Sequence, residues 1–158
     1  MHAVYRLINS TFDLKSLLLR LARLTGQIMS VDYCSIALLD ASKKYSYLRA
    51  VVTPRKRYVI NKKTLIKNRL ELRIIKSGNA MYNGCIIGIP LIGEDQMGVV
   101  IIRRSKKADP FEQFDQEMLL NISSQAVMAI RNLQLYEEQQ RTIMGSIKSL
   151  VTLLDIRS

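Results

Sequence analysis

The chemistry this chain can offer is carried by positive charge. Residues 43 to 107 hold sixteen Lys and Arg against three acids, Glu71, Glu94 and Asp95. The rest of the 158 residues hold eight basic and ten acidic side chains, so the net charge of +11 belongs to the middle of the sequence. Guanidinium groups bind carboxylates and phosphates in a bidentate way. Arg49, Arg55 and Arg57, with Tyr58, are therefore candidates for holding a small anion. Tyr47, Met81 and Cys85 complete the candidate ligand-binding set. Three readings stay open for this region: a solvated surface without a specific partner, a pocket for a small anionic ligand, or a surface for nucleic acid or acidic lipid. No helix-turn-helix, RNP or zinc-finger pattern supports base readout, so nucleic acid would bind weakly, without specificity and with a steep salt dependence.

What the sequence lacks is as informative. His2 is the one histidine, and it lies at the N-terminus. A Ser-His-Asp or Cys-His pair needs a positioned imidazole. A zinc site combines His with several Cys, and the cysteines here are two, Cys34 and Cys85. Both fall at or in strand patterns and read as small buried hydrophobes, which fits a reducing, cytoplasmic setting. No GxxxxGK[ST] or GxGxxG pattern is present, and paired carboxylates are missing from the middle of the chain. The expectation is a segment that is not an enzyme, with no metal and no cofactor named by any motif. No apolar run approaches the roughly 20 residues of a membrane span, and the N-terminus makes a poor secretion signal.

These residues need a scaffold. Apolar content of 48% with 23% charged residues suits one globular domain with a real core. Residues 4 to 9 read as a short helical lead-in, and Ser10 with Asp13 has capping-box spacing. Leu14, Leu17, Leu18, Leu21, Leu24 and Ile28 recur at helical spacing, predicting a helix that ends near Met29. Residues 33–39 predict a strand apolar on both faces, as in a sheet covered from two sides. A turn over 40–44 leads to a partner strand over 45–53, with Leu48, Ala50 and Val52 on one face and Tyr47, Arg49 and Val51 on the other. Residues 55–68 are basic with little period and read as irregular. Residues 70–76 look helical and stop at Ser77-Gly78-Asn79, and residues 80–85 have room for a short strand. Ile86 to Arg103 reads as a hairpin around Gly93-Glu94-Asp95-Gln96, and Pro110 precedes a long amphipathic helix.

This order predicts an α+β domain. It resembles a GAF domain, a PAS-like sensory module of signalling proteins, over about residues 8 to 136. The resemblance rests on the strand ending in Pro90, the turn, Gly98-Val99-Val100, Phe111 with Asp115, and the apolar helix from Leu119 to Leu135. It implies an antiparallel sheet with the first and last helices on one face and a variable loop and helix segment on the other. It also implies ligand binding on that variable segment. The N-K-x-F-D-E signature of cyclic-nucleotide-binding members is missing, and neither cysteine precedes a histidine as in many bilin-binding members. The set cysteines of the methionine-sulfoxide reductase members are not matched either.

The final helix runs past the expected end of that domain near residue 136. Ala126, Ala129, Leu133, Tyr136, Gln140, Ile143, Ile147, Leu150 and Leu154 follow one another at alternating steps of three and four. That is the seam of a coiled coil, with Gln140 as a polar register position. Residues 137–158 therefore read as a signalling helix that joins two copies in a homodimer. A helix folded back on its own domain is the other reading. Leu150, Leu153, Leu154, Asp155 and Arg157 resemble the opening helix of HD-GYP and related HD-type phosphohydrolase domains, which implies an HD-type phosphodiesterase output domain downstream. The sequence-level expectation is a dimerising regulatory module of a bacterial signalling protein that relays ligand or partner binding. The alternative is a basic nucleic-acid-binding or transcription-regulatory domain.

Overall fold

The computed structural model describes residues 13–157. Among them the chain forms three helices and seven strands. Helix α1 spans Leu14–Met29, α2 spans Arg69–Ser77, and α3 spans Gln113–Arg157. The strands are β1 (Tyr33–Leu39), β2 (Tyr45–Val52), β3 (Arg57–Ile60), β4 (Thr64–Leu65), β5 (Met81–Asn83), β6 (Ile86–Ile92) and β7 (Gln96–Arg103). All pairings are antiparallel, in the order β3-β2-β1-β7-β6-β5, with β4 also pairing to β2.

The order follows from the residues. Asp13 is the N-cap of α1, its carboxylate accepting from the Ser16 backbone N–H at 2.8 Å. Those hydrogen bonds hold its carboxyl below the usual range. The expected lead-in over residues 4–9 and the Ser10 cap lie outside the described residues. Leu18, Ala22, Thr25 and Met29 are the buried positions of α1. Leu18, Ala22 and Met29 meet Cys34, Ile36 and Leu38 of β1, Leu48 and Ala50 of β2, Val100 and Ile102 of β7, and Leu119, Val127 and Ile130 of α3 in one apolar cluster. A smaller cluster of Leu39, Ile66, Ile74, Val99 and Ile101 lies on the opposite face, under α2. Strand β1 is thus apolar on both sides because both sides are covered. This is the α+β, two-faced arrangement that the sequence implies.

Two places depart from expectation. The basic stretch after Pro54 forms strands β3 and β4 rather than an irregular segment. Strand β3 lies at the sheet's edge with only Val59 partly buried, so it has no apolar alternation to betray it. Charged edge strands of this kind resist adding a further chain. In β2, the register to β1 passes from Leu48 opposite Leu38 to Ser46 opposite Leu39, so Tyr47 is the extra residue of a bulge. Its side chain leaves the Arg49 face and packs with the large cluster, where its hydroxyl accepts from Gln134 Nε2 of α3 at 3.1 Å.

Gly98 is where β7 comes closest to its neighbours. A Cβ there would lie 2.5 Å from the Ala37 carbonyl oxygen, and backbone cannot step aside. Gly98→Ala is therefore expected to lower stability by about 1–3 kcal/mol, as overpacking does. Urea melts read by circular dichroism check this, and an unchanged midpoint would contradict it.

Candidate functional site

The face of the sheet opposite α1 and α3 is covered by α2, and residues 55–76, from the turn before β3 through α2, carry nine of the 24 Lys and Arg. Helix α2 starts at Asn68, whose side chain accepts from the Glu71 backbone N–H at 3.1 Å, and ends at Gly78 with φ +68°. Only glycine takes that angle cheaply. Gly88 of β6 lies beneath this helix, and a Cβ there would run into Ile74 Cδ1 at 2.3 Å. The missing side chain lets Ile74, fully buried, seat α2 on the sheet.

Glu71 is the second anchor. It has Asn68-x-x-Glu71 spacing, yet its carboxylate turns inward instead of back to the cap. Arg49 Nη1 and Nη2 donate to Glu71 Oε1 and Oε2, the latter at 3.1 Å, so the pair is bidentate. Glu71 is 3% exposed. Burial works against the charge on Arg49, but the hydrogen bonds and charge of Glu71 outweigh it and raise the guanidinium above its ordinary pKa. One of the candidates for anion binding, Arg49, is thus already neutralised from within the chain. A cleft of about 320 Å³ opens beside the pair, lined by Tyr33, Lys67, Leu70, Ile101 and Arg103, with the Arg103 guanidinium 3.9 Å from the centre of the Tyr33 ring.

The remaining candidates do not form one site. Arg57 and Tyr58 lie on the β3 edge, and Arg55 in the turn before it; all three are exposed. By register Tyr58 shares the Arg49 face, whereas Arg57 alternates to the other. Met81 and Cys85 are at the far edge, beyond β1, β7 and β6. Met81 lines a second cleft, of about 430 Å³, between α2 and β5. Cys85 is half-buried in the turn from β5 to β6. Cys34 is fully buried in the core, and burial pushes its thiol up to about 12. Among the described residues no group of three or more His, Cys, Asp or Glu side chains is placed to hold a metal.

The long helix presents the other candidate surface. Phe111 is buried just ahead of it, under the Arg104 guanidinium at 4.4 Å. Arg104 also donates to the Met29 carbonyl at 2.9 Å and lies 3.7 Å from Asp115, which joins the end of α1 to the start of α3. Tyr82 of β5 donates its hydroxyl to the Phe111 carbonyl. From Leu119 to Leu133 the helix buries its stripe on the sheet. Tyr136 and Gln140 are half-buried, and every side chain from Arg141 to Ile156 is exposed. Ile143, Ile147, Leu150 and Leu154 expose between 47% and 67% of their surface. The helix is continuous through residues 136 and 137 and does not fold back on its own domain. No helix among the described residues is long and apolar enough to cross a membrane.

Sequence reasoning passed over Glu71, Tyr82 and Gln134. For Glu71 a signal existed: it is the one acid between Lys43 and Gly93, and a lone acid in a basic, core-forming stretch implies an internal ion pair. Tyr82 and Gln134 have no such mark.

The chain matches no family model and no curated protein sequence. Solved structures give its fold. The second GAF domain of DevS from Mycobacterium smegmatis superposes with a TM-score of 0.64 at 17% identity, covering 82% of this chain and 99% of that one. The GAF domain of an Acinetobacter phosphoenolpyruvate-protein phosphotransferase gives 0.62 at 18%, covering 87% and 94%. A GAF domain/HD domain protein from Geobacter sulfurreducens gives 0.59 at 15%, covering 82% and 98%. At these identities the likeness establishes the GAF fold.

The Arg49–Glu71 pair supplies a test of how α2 is held. Glu71→Gln leaves a mostly buried guanidinium without its counter-charge and is expected to cost roughly 3 kcal/mol. Adding Arg49→Met to that variant is expected to recover much of the loss. A double-mutant cycle from denaturant melts checks this, and two independent, additive losses would contradict it.

Proposed function

We propose that this GAF-fold chain is a sensory or regulatory module of a signal-transduction protein, working as a homodimer through the projecting part of α3. The carrying observation is the exposed heptad stripe of Ile143, Ile147, Leu150 and Leu154 on a helix that has left its sheet. In water such a stripe is stable when a second apolar surface covers it, and alternating steps of three and four suit another copy of the same helix. Residues 13–136 then form the sensing body and residues 137–157 the relay. Events on the α2 face bias the angle or register of the paired helices, which is a two-state coupling. The segment itself is regulatory, and catalysis belongs to an output domain. The ending Leu150, Leu153, Leu154, Asp155, Arg157 and the fold likeness to a GAF domain/HD domain protein support an HD-type phosphodiesterase as that output.

The nucleic-acid reading ranks second. It draws on the exposed Arg55, Arg57, Lys62, Lys67 and Lys76, none of which has an ion pair. These cations are split between the β3 edge and the outside of α2 rather than gathered along one groove-sized stripe.

Ile147→Glu with Leu150→Glu places four like charges at the centre of the paired helices, two from each chain. The wild type is expected to run as a dimer and this variant as a monomer with an unchanged melting curve for the body, both read by light scattering after gel filtration. Gly145→Ala, in open space on the same helix, is expected to tighten the dimer, since glycine costs about 1 kcal/mol in a helix interior. A wild-type monomer, or a variant that stays dimeric, would overturn the reading.

A further inference from the structure

We infer that the cleft between α2 and β5 binds a small phosphate monoester with an apolar or aromatic body. This deepens the sensory reading above and rests on it. The cleft holds about 430 Å³, within the range of small-molecule sites. Its floor is Leu70, Met81 and Ile86, all half-buried, and its rim is Arg69 and Arg73 on one side and β5 with Asn83 on the other.

Three observations fix the ligand's class. Arg69 and Arg73 stand four residues apart on α2, so their side chains are neighbours on the helix surface. Neither has an ion pair or hydrogen bond in the structure. Glu71 lies between them in sequence but is turned inward and committed to Arg49, so it leaves both guanidinium groups uncompensated. Arg69 also opens α2, where the helix's free N–H groups already concentrate positive charge. Arg69 at that end is repelled by the helix dipole, and a dianion at the rim reverses the repulsion. A bare inorganic anion leaves the apolar floor wet, and a neutral apolar molecule leaves the arginines unused. A phosphate carried on an apolar body uses both, the body lying on Leu70, Met81 and Ile86.

The same cleft is wired to the long helix. The Tyr82 hydroxyl donates to the Phe111 carbonyl, and the Phe111 N–H donates to the Gly84 carbonyl at 2.8 Å. An occupant pressing on β5 therefore acts two residues before α3 begins. This differs from the anion site expected around Arg49, Arg55 and Arg57, which the Glu71 pairing and the sheet order disperse.

The test is a methyl and amide NMR titration of the full chain with phenyl phosphate, against inorganic phosphate and benzyl alcohol. Phenyl phosphate is expected to give saturable shifts at Leu70, Met81, Tyr82 and Ile86, with at least tenfold tighter binding than either control. Arg69→Gln with Arg73→Gln, both exposed and free of structural contacts, is expected to weaken it at least tenfold. Arg55→Gln with Arg57→Gln should change it less than twofold. Shifts spread evenly over β3 and α2, equal affinity for inorganic phosphate, or indifference to Arg69→Gln/Arg73→Gln would overturn the site. Gel filtration of the same samples separates the two claims: a dimer that fails to bind overturns this site alone, and a monomer that binds supports it while overturning the dimer.

Discussion

A helix buries its apolar stripe only as far as there is something to bury it against, and that limit organises this molecule. α3 is 45 residues long. At 1.5 Å per residue it runs about 65–70 Å. Its first half closes the core through Leu119, Val127 and Ile130. Its second half carries the same kind of stripe beyond the sheet, with nothing among the described residues to cover it. The body has its own core, whereas the projection leaves its apolar stripe exposed. The dimer and relay proposed above rest on that asymmetry.

The opposite face shows how a basic segment of low periodicity is kept folded. α2 has modest apolar content, and two close contacts seat it: Ile74 over the bare backbone of Gly88, and Glu71 clasped by Arg49. The ion pair also consumes the acid that would otherwise quiet α2's outer arginines. A structural need inside the sheet thus leaves uncompensated charge at its rim. The two faces meet at the edge near Phe111, where Arg104, Asp115 and Tyr82 converge on the base of α3. The hydrogen bond from Tyr82 to the Phe111 carbonyl links β5 to the base of α3.

Much of the fold was legible because the periods were strong. The leucines of α1, the doubly apolar β1, the β6–β7 hairpin and the long stripe of α3 each dictate an element on their own. Strand β3 was not legible, because an exposed edge strand needs no alternation and its charges read as loop. Tyr47 was misplaced by one face because a bulge shifts alternation by one residue, and bulges leave little trace in composition. The heptad seam posed a subtler problem. Ala126 and Leu133 satisfy it but are spent on the chain's own sheet, whereas Ile143 and Leu150 are open; a stripe records that it must be covered and not by what. The candidate ligand residues were legible only as charge. Which cations are free depends on Glu71 pointing inward, a tertiary fact.

The central claim is that the last turns of α3 are helical because a second copy covers them. Hydrogen exchange of residues 141–156, followed by mass spectrometry across a range of protein concentrations, tests it most directly. An isolated, uncovered helical end of this length is marginal in water and exchanges fast. The account predicts strong protection at high concentration that is lost on dilution while β1 and β7 stay protected. Fast exchange over 141–156 at every concentration would contradict it.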